Sequence, residues 1–339
     1  MEYARNHFFH SLRYRDPFHT SEVSTESFVT LDAYDLLMLE TRDPLDNRVT
    51  AGERDAVGNL TMRGNDYRVL QSYLMMDPNR NRAMVAFDAL GMVVGTAVMG
   101  KPELSQVEGD SLAGFEADLT EDVILDHLTN PLTDPHSILR RATTRMIYDP
   151  SAYYRTKDQQ NPQPNVVYTL ARETHDANLE GNTKTKVQHS FSYSDGFGRE
   201  IQKKIQVESG PLVKEEGGPV VSPRWVGSGW TIFNNKGKPV RQYEPFFDDT
   251  HNFKFGKKVG VSRILFYDPV GRVVVTLHPN NTYEKVVFDP WKQVTYCVSD
   301  TVAPHRMQTG DPRTDPDTTV RCLVQVRRHI YAAYMKMNK

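Results

Sequence analysis

The stretch ILFYDPVGRVVVTLHPNNTYEKVVFDPW, residues 264–291, contains an aromatic-Asp-Pro triplet twice, at Tyr267-Asp268-Pro269 and Phe288-Asp289-Pro290. Each residue of Asp268-Pro269-Val270-Gly271 has a backbone reason to be there. The carboxylate accepts hydrogen bonds from N–H groups two residues on, proline presets φ at about −65°, and glycine tolerates positive φ. Together they form a type I turn closed by a glycine bulge, which reverses one strand into the next. The tyrosine before the turn and the valines after it then lie on the flanking β surfaces. The aspartate is explained by the backbone, without any substrate.

The same unit recurs outward from this stretch: an aromatic, Asp or Asn, two or three residues, Gly, then a basic or apolar residue and Val or Ile. It stands as FDALGMVV at 87–94, YSDGFGREI at 193–201 and FNNKGKPV at 233–240, and FDPW at 288–291 opens it without completing it. The expected turn residues are therefore Asp88 and Gly91, Asp195 and Gly198, Asn234 and Gly237, Asp268 and Gly271, and Asp289. A related form, Asp-Pro-x-x-Asn-Arg, occupies 43–48 and 77–82. Spacings of 40, 34 and 21 residues between Tyr193, Phe233, Tyr267 and Phe288 rule out a fixed period and fit strands joined by loops of varied length.

Strand and turn texture dominates residues 185–302 and appears earlier in TRDPLDNRVTAGER and in DYRVLQSYLMMDPNRNRAMVAFDALGMVVGTAVMG. Helical signal is confined to FEADLTEDVILDHLTN at 115–130 and SILRRATTRMI at 137–147. In the first, Leu119, Val123 and Leu128 approximate one face and Pro131 stops it. The chain thus reads as a mainly β protein, an antiparallel hairpin ribbon with a short helical insert. The predicted segments are β at 1–114, helical insert at 115–150, β at 151–318 and an atypical tail at 319–339 able to form a short helix.

With 41 basic and 43 acidic residues the net charge is −2, so no basic field favours nucleic acid or an anionic membrane. Two cysteines, Cys297 and Cys322, cannot build a disulfide framework or a four-thiolate zinc site. The first residues, MEYARNHFFHSLRYRDPFHTSE, lack the apolar core of a signal peptide, and no run reaches the length of a membrane span. Signatures such as GxSxG, HExxH, a Walker loop and GxGxxG are absent. Asp77-x-Asn79-x-Asn81 opens like a calcium loop, but Arg82 stands where such a loop requires glycine, which favours a turn. Asp248-Asp249 could form a carboxylate site, yet beside Pro245 the pair reads as a solvated loop. Val226-Gly227-Ser228-Gly229-Trp230 reads as a packed strand bend. His7, His10 and His19 have no ligand partners at metal spacing and read as surface residues. No catalytic, cofactor or metal residue is expected.

On these repeats the chain resembles the RHS/YD-repeat family, and more closely the C-terminal part of the B component of bacterial insecticidal Tc toxin complexes, the SpvB-like or TcdB-like group. The carrying segments include RYRDPF, LETRDPLDNRVTAGERDAVGN, HSFSYSDGFGREIQKKIQ, PRWVGSGWTIFNNKGKPVRQYEPFF and residues 264–291, and the likeness runs from about residue 10 to 318. The resemblance implies a β ribbon wound into part of a hollow shell. That shell is completed by the rest of the B component and the C component, and it encloses a toxic effector until the A component translocates it.

The resemblance also implies a secreted complex without a signal peptide in this chain, no enzyme activity, and contact with the A component only through a propeller these residues do not encode. His19 departs from the pattern at a turn position that usually holds glycine. After Thr318, VRCLVQVRRHIYAAYMKMNK leaves the pattern, which suggests a truncated fragment. The self-cleaving DPxGLxGG motif is missing, so no autoproteolysis is expected. An alternative reading is an extracellular adhesion or carbohydrate-binding module with Trp225, Trp230 and Trp291 stacking on sugars. A third is a hydrolase using Asp248 and Asp249.

Overall fold

The computed structural model describes residues 2–103, 108–213 and 218–301. The fold is mainly β, with 38% strand and 10% helix, and its ladders are antiparallel. Two compact units are present: Met1–Pro150 with Val166–Phe191, and Ser151–Asn165 with the described residues from Ser192 onward. None of the described helices is long and apolar enough to cross a membrane. The expected tail at 319–339 lies outside the described residues.

In the first unit the strands Arg13–Arg15, Glu26–Leu31, Met38–Arg42, Arg48–Thr50, Leu74–Met76, Arg82–Phe87, Val93–Met99, Thr144–Asp149 and Asn165–Arg172 are hydrogen-bonded neighbours in that order. Sequence neighbours are thus spatial neighbours, as hairpin connections dictate. Between Thr50 and Leu74 the chain leaves this ladder for two small hairpins, Gly52–Arg54 with Leu60–Arg63 and Asn65–Asp66 with Gln71–Ser72. Glycine is obligatory at the crossing: a Cβ on Gly52 would stand 2.0 Å from the Met62 carbonyl oxygen. Alternation is clear in Thr144–Asp149, where Arg145, Ile147 and Asp149 are buried and the residues between are half-buried. Leu74, Met76, Ala97, Ile147, Tyr168 and Leu170 are buried in this unit.

The helical insert is shorter than expected. The first helix is Glu121–Thr129, begun after Thr120 with acidic residues in its first turn, and its buried residue is His127. The second, Pro135–Leu139, ends where Arg140 takes φ 49°, and residues 144–149 form a strand instead of continuing the helix. Six cross-strand pairs, Thr144↔Ala171 to Asp149↔Val166, override the local helical preference of SILRRATTRMI.

In the second unit Glu200–Val207, Arg224–Gly227 and Phe246–Asp248 form one antiparallel ladder. A six-stranded sheet follows: Thr231–Phe233, Pro239–Gln242, Ile264–Tyr267, Val273–Leu277, Tyr283–Phe288 and Gln293–Tyr296. Its core is Val275, Leu277 and Tyr283, with Ile264 and Phe266 packed against them. The bend between ladder and sheet needs its glycines, since a Cβ on Gly227 would meet the Phe246 ring at 2.6 Å and one on Gly229 the Tyr243 carbonyl at 1.7 Å.

Candidate functional site

The recurring feature of both units is one turn, built from the backbone up. At Asp88 the amide donates to Met92 O at 3.0 Å and the Gly91 amide returns to Asp88 O at 3.0 Å. Asp88 Oδ1 accepts from the amides of Leu90 (2.9 Å) and Met92 (2.8 Å), which would otherwise point into the turn unpaired. Gly91 takes φ 82°, the left-handed conformation that closes the bulge. The chain repeats this at Asp195 with Gly198, Asn234 with Gly237 and Asp268 with Gly271, whose glycines have φ 73°, 74° and 87°. Asp289 differs. Its amide pairs with Lys292 O at 3.0 Å, one residue sooner, and its carboxylate accepts from Trp291 and Lys292.

The related Asp-Pro forms at 43 and 77 build the same kind of turn, and one further copy, at Asp55, was not recognised in the sequence. Asp55 with Gly58 has the full geometry, and so does Asp43, closed by Asp46 at φ 65°; at Asp77 the backbone bonds are the same, Arg80 takes φ 70°, and the carboxylate accepts from the Asn81 amide. A legible signal existed in Asp-x-x-x-Asn at 43–47, 55–59 and 77–81, where the asparagine side chain donates to the second carboxylate oxygen at 2.8, 3.0 and 3.1 Å. Both oxygens of Asp77 are thereby engaged by Asn81. Among the described residues no three His, Cys, Asp or Glu side chains gather as a metal set. At Asp16 the turn opens, with Phe18 N–H to Oδ1 at 2.8 Å, but His19 does not enter the left-handed region.

At Asp195, Asn234 and Asp268 in the second unit the residue four after the Asx is basic, and it reaches beyond its own turn. Arg199 bonds Asp195 through Nε at 2.7 Å, and its guanidinium also lies 4.7 Å from the Phe233 ring centre. Arg272 bonds Asp268 through Nε at 2.8 Å and lies 4.0 Å over Phe288. Phe233 and Phe288 are the aromatics that precede Asn234 and Asp289. The aromatic of the motif is thus the seat for an arginine from an earlier turn. A Cβ on Gly271 would stand 3.3 Å from the Lys238 side chain, so this glycine also makes room for its neighbour. Tyr267 OH donates to Pro239 O at 2.7 Å and Lys236 Nζ to Pro269 O at 2.8 Å, tying successive turns together.

The electrostatics follow. The Asn47 and Asn59 side chains hold the Asp43 and Asp55 carboxyls below the usual range. Partial burial pushes Asp195 and Asp268 up, but bonds from Arg199 and Arg272 outweigh it and leave both lowered. Such groups are favoured as anions and serve amides.

Asp248 is not in a solvated loop as its sequence setting suggested. It ends the strand Phe246–Asp248, is buried, and is bonded by Lys204 Nζ and, at 2.7 Å, by Lys254 Nζ. Lys204, from the paired ladder, supplies the partner that the local sequence lacked. Burial works against the Asp248 charge, yet the two ammonium groups hold its carboxyl below the usual carboxylate range. Asp249 is exposed and stands 4.0 Å from the same Lys254.

The histidines also differ from their surface reading: His10 is exposed, but His7 bonds the Asp35 carboxylate at 2.8 Å and His19 Nδ1 accepts from Thr25 N–H at 3.1 Å. His189 is buried with Nδ1 2.6 Å from Tyr168 OH. A cavity of about 420 Å³ in the first unit is lined by residues including His127, Ser137 and Arg140. Ser137 Oγ stands 3.5 Å from His127 Nε2 but donates to Asp134 O at 2.8 Å, and His127 Nδ1 is buried without a carboxylate. That arrangement lacks the orienting acid of a serine nucleophile.

No protein-family model and no curated protein matches the sequence. Solved structures do. The TcdB2–TccC3 crystal structure aligns over 84% of this chain and 13% of its own, at 22% identity and TM-score 0.57. The chain has the fold of this Tc toxin component. A second crystal structure, TcdB2–TccC3-TEV, aligns over 88% of this chain and 16% of its own, at 19% identity and TM-score 0.59. The Tc holotoxin pore of Photorhabdus luminescens aligns over 85% and 15%, at 18% identity and TM-score 0.55. The chain therefore spans between 13% and 16% of the length of these Tc toxin polypeptides.

Proposed function

We propose that the chain is a structural segment of the repeat wall of a Tc-type toxin B component, and that this wall encloses a toxic effector for delivery. The observation that carries the reading is the turn lattice: the motif's Asx, glycine, aromatic and base are engaged in holding strands and turns to one another. A wall needs closed backbone ladders and no catalytic side chain. Its partners are the C component and the remainder of the B component. Contact with the A-component translocator runs through the B-component propeller. The working location is extracellular, within the toxin complex.

The test is replacement. This chain is exchanged for the matching stretch of a B component, co-expressed with a C component, and the particles are imaged and treated with protease. Closed hollow particles with protected cargo are expected; open or aggregated particles overturn the reading. The carbohydrate-binding alternative gains no support from the tryptophans: Trp225 is 1% exposed, Trp230 packs against Phe253 and Phe255, and Trp291, 95% exposed, stands alone at a turn tip.

A further inference from the structure

Between Phe246–Asp248 and Ile264–Tyr267 the chain runs through residues 249–263 without helix or strand. Connections of this length are uncommon in compact proteins and commonly carry function. Here the segment builds an aromatic and basic face. Phe255 meets Trp230 edge-on at 5.1 Å and Phe253 lies 6.0 Å from the same ring. Tyr243 donates its backbone N–H to Trp230 O, so the two residues are cross-strand partners on one face of the sheet. Arg241, two residues earlier and on that same face, reaches Tyr243 OH at 3.4 Å, and Lys258 Nζ lies 6.0 Å from the tyrosine ring centre.

Two features of this face are unsatisfied. Phe255 is 84% exposed although its neighbours are aromatic. Lys257 is exposed and, with its Nζ 5.8 Å from the Phe246 ring centre, has no carboxylate in an ion pair among the described residues. Nearby acids are already engaged: Asp248 and Asp249 lie 2.7 and 4.0 Å from Lys254, and Glu244 accepts the Val261 amide. The face therefore presents an apolar anchor beside excess positive charge.

The geometry points to a docking surface for a protein segment that carries carboxylates next to an aromatic or aliphatic side chain. The carboxylates complement Lys257 and Arg241, and the apolar side chain covers Phe255 against Trp230. A nucleic acid is a poorer match, because the whole chain is net negative at −2 and only a few cations gather here. This inference does not depend on the wall reading.

The test is calorimetric titration of the full chain with a short synthetic peptide in which glutamates flank one phenylalanine. Controls are the same peptide with glutamine for glutamate and a thymidine oligonucleotide. The acidic peptide should bind, less tightly as salt rises, and the glutamine peptide should not. Lys257→Glu and Phe255→Ser should each weaken binding by about tenfold or more, while Phe197→Ser, at an exposed turn tip elsewhere in the second unit, should not change it. Unchanged thermal midpoints establish that the variants are folded. The proposal is overturned by no heat of binding, by equal binding of the glutamine peptide, by tighter binding of the oligonucleotide, or by unchanged affinity in both variants.

Discussion

At Asp55 in the first unit and Asp268 in the second, the backbone follows one path: the same amides bond the same carboxylate oxygen, and a glycine three residues on closes the bulge. The second oxygen separates them. Asn59 takes it at Asp55, with a short side chain that ends within its own turn. Arg272 takes it at Asp268, and its longer, planar side chain continues onto Phe288 at 4.0 Å. In turns of the first kind the residue that takes the second oxygen reaches no further than its own carboxylate. Turns of the second kind are linked in series, so disruption of one should be felt by the next.

The largest expected effect lies beneath those linked turns. Asp248→Ala leaves Lys204 buried without its carboxylate and should destabilise the second unit by about 3–5 kcal/mol, read by chemical denaturation with segment-resolved hydrogen exchange. Retention of wild-type protection in Glu200–Val207 would show that the pair contributes little.

Acid should separate the units in the opposite sense. Burial, aided by the like charge of His136, pushes His189 down to about 4 from an ordinary 6.5. The unfolded chain therefore binds the proton first, and the stability held above pH 6.5 is lost as pH falls through this window, by about 3 kcal/mol. The lowered carboxyls of Asp195 and Asp268 release their contribution only below the ordinary aspartate value of 3.8. Exchange at pH 5 should open the first unit before the second, and His189→Gln should flatten that dependence. Equal opening of both units would contradict this assignment.

Turn carboxylates come next. Asp268→Ala should cost about 2 kcal/mol and Asp55→Ala less, since only the first frees an arginine from its seat; thermal unfolding of both variants checks the order. The smallest effect tests the linkage itself. A double-mutant cycle of Arg272→Ala and Phe288→Leu should show a coupling of about 0.5–1 kcal/mol, whereas Asn59→Ala paired with Phe87→Leu should show none. Zero coupling in the first cycle would reduce the arginine to a surface charge.

The turns were legible because their chemistry is local. Asp, Pro and Gly state their backbone roles within a few residues, so Asp88, Asp195, Asn234 and Asp268 could be placed from the sequence with their glycines. Copies closed by Asp46 and Arg80 could be read only as a related Asp-Pro form, because a non-glycine residue in the left-handed region gives no compositional signal. Residues 144–149 looked helical for a related reason: their strand identity comes from six partners some twenty residues away. The Lys204–Asp248 pair was invisible, since 44 residues separate its members.

What the sequence alone determined is the repeating unit and hence the hairpin class of the fold, because turn geometry and alternation act over fewer than ten residues. Tertiary structure decided the rest. It chose which turn each arginine reaches, buried Asp248 instead of solvating it, and gathered Trp230, Tyr243 and Phe255 on one face. Those outcomes depend on which strands lie side by side, and cross-strand distance is not encoded in any one local stretch.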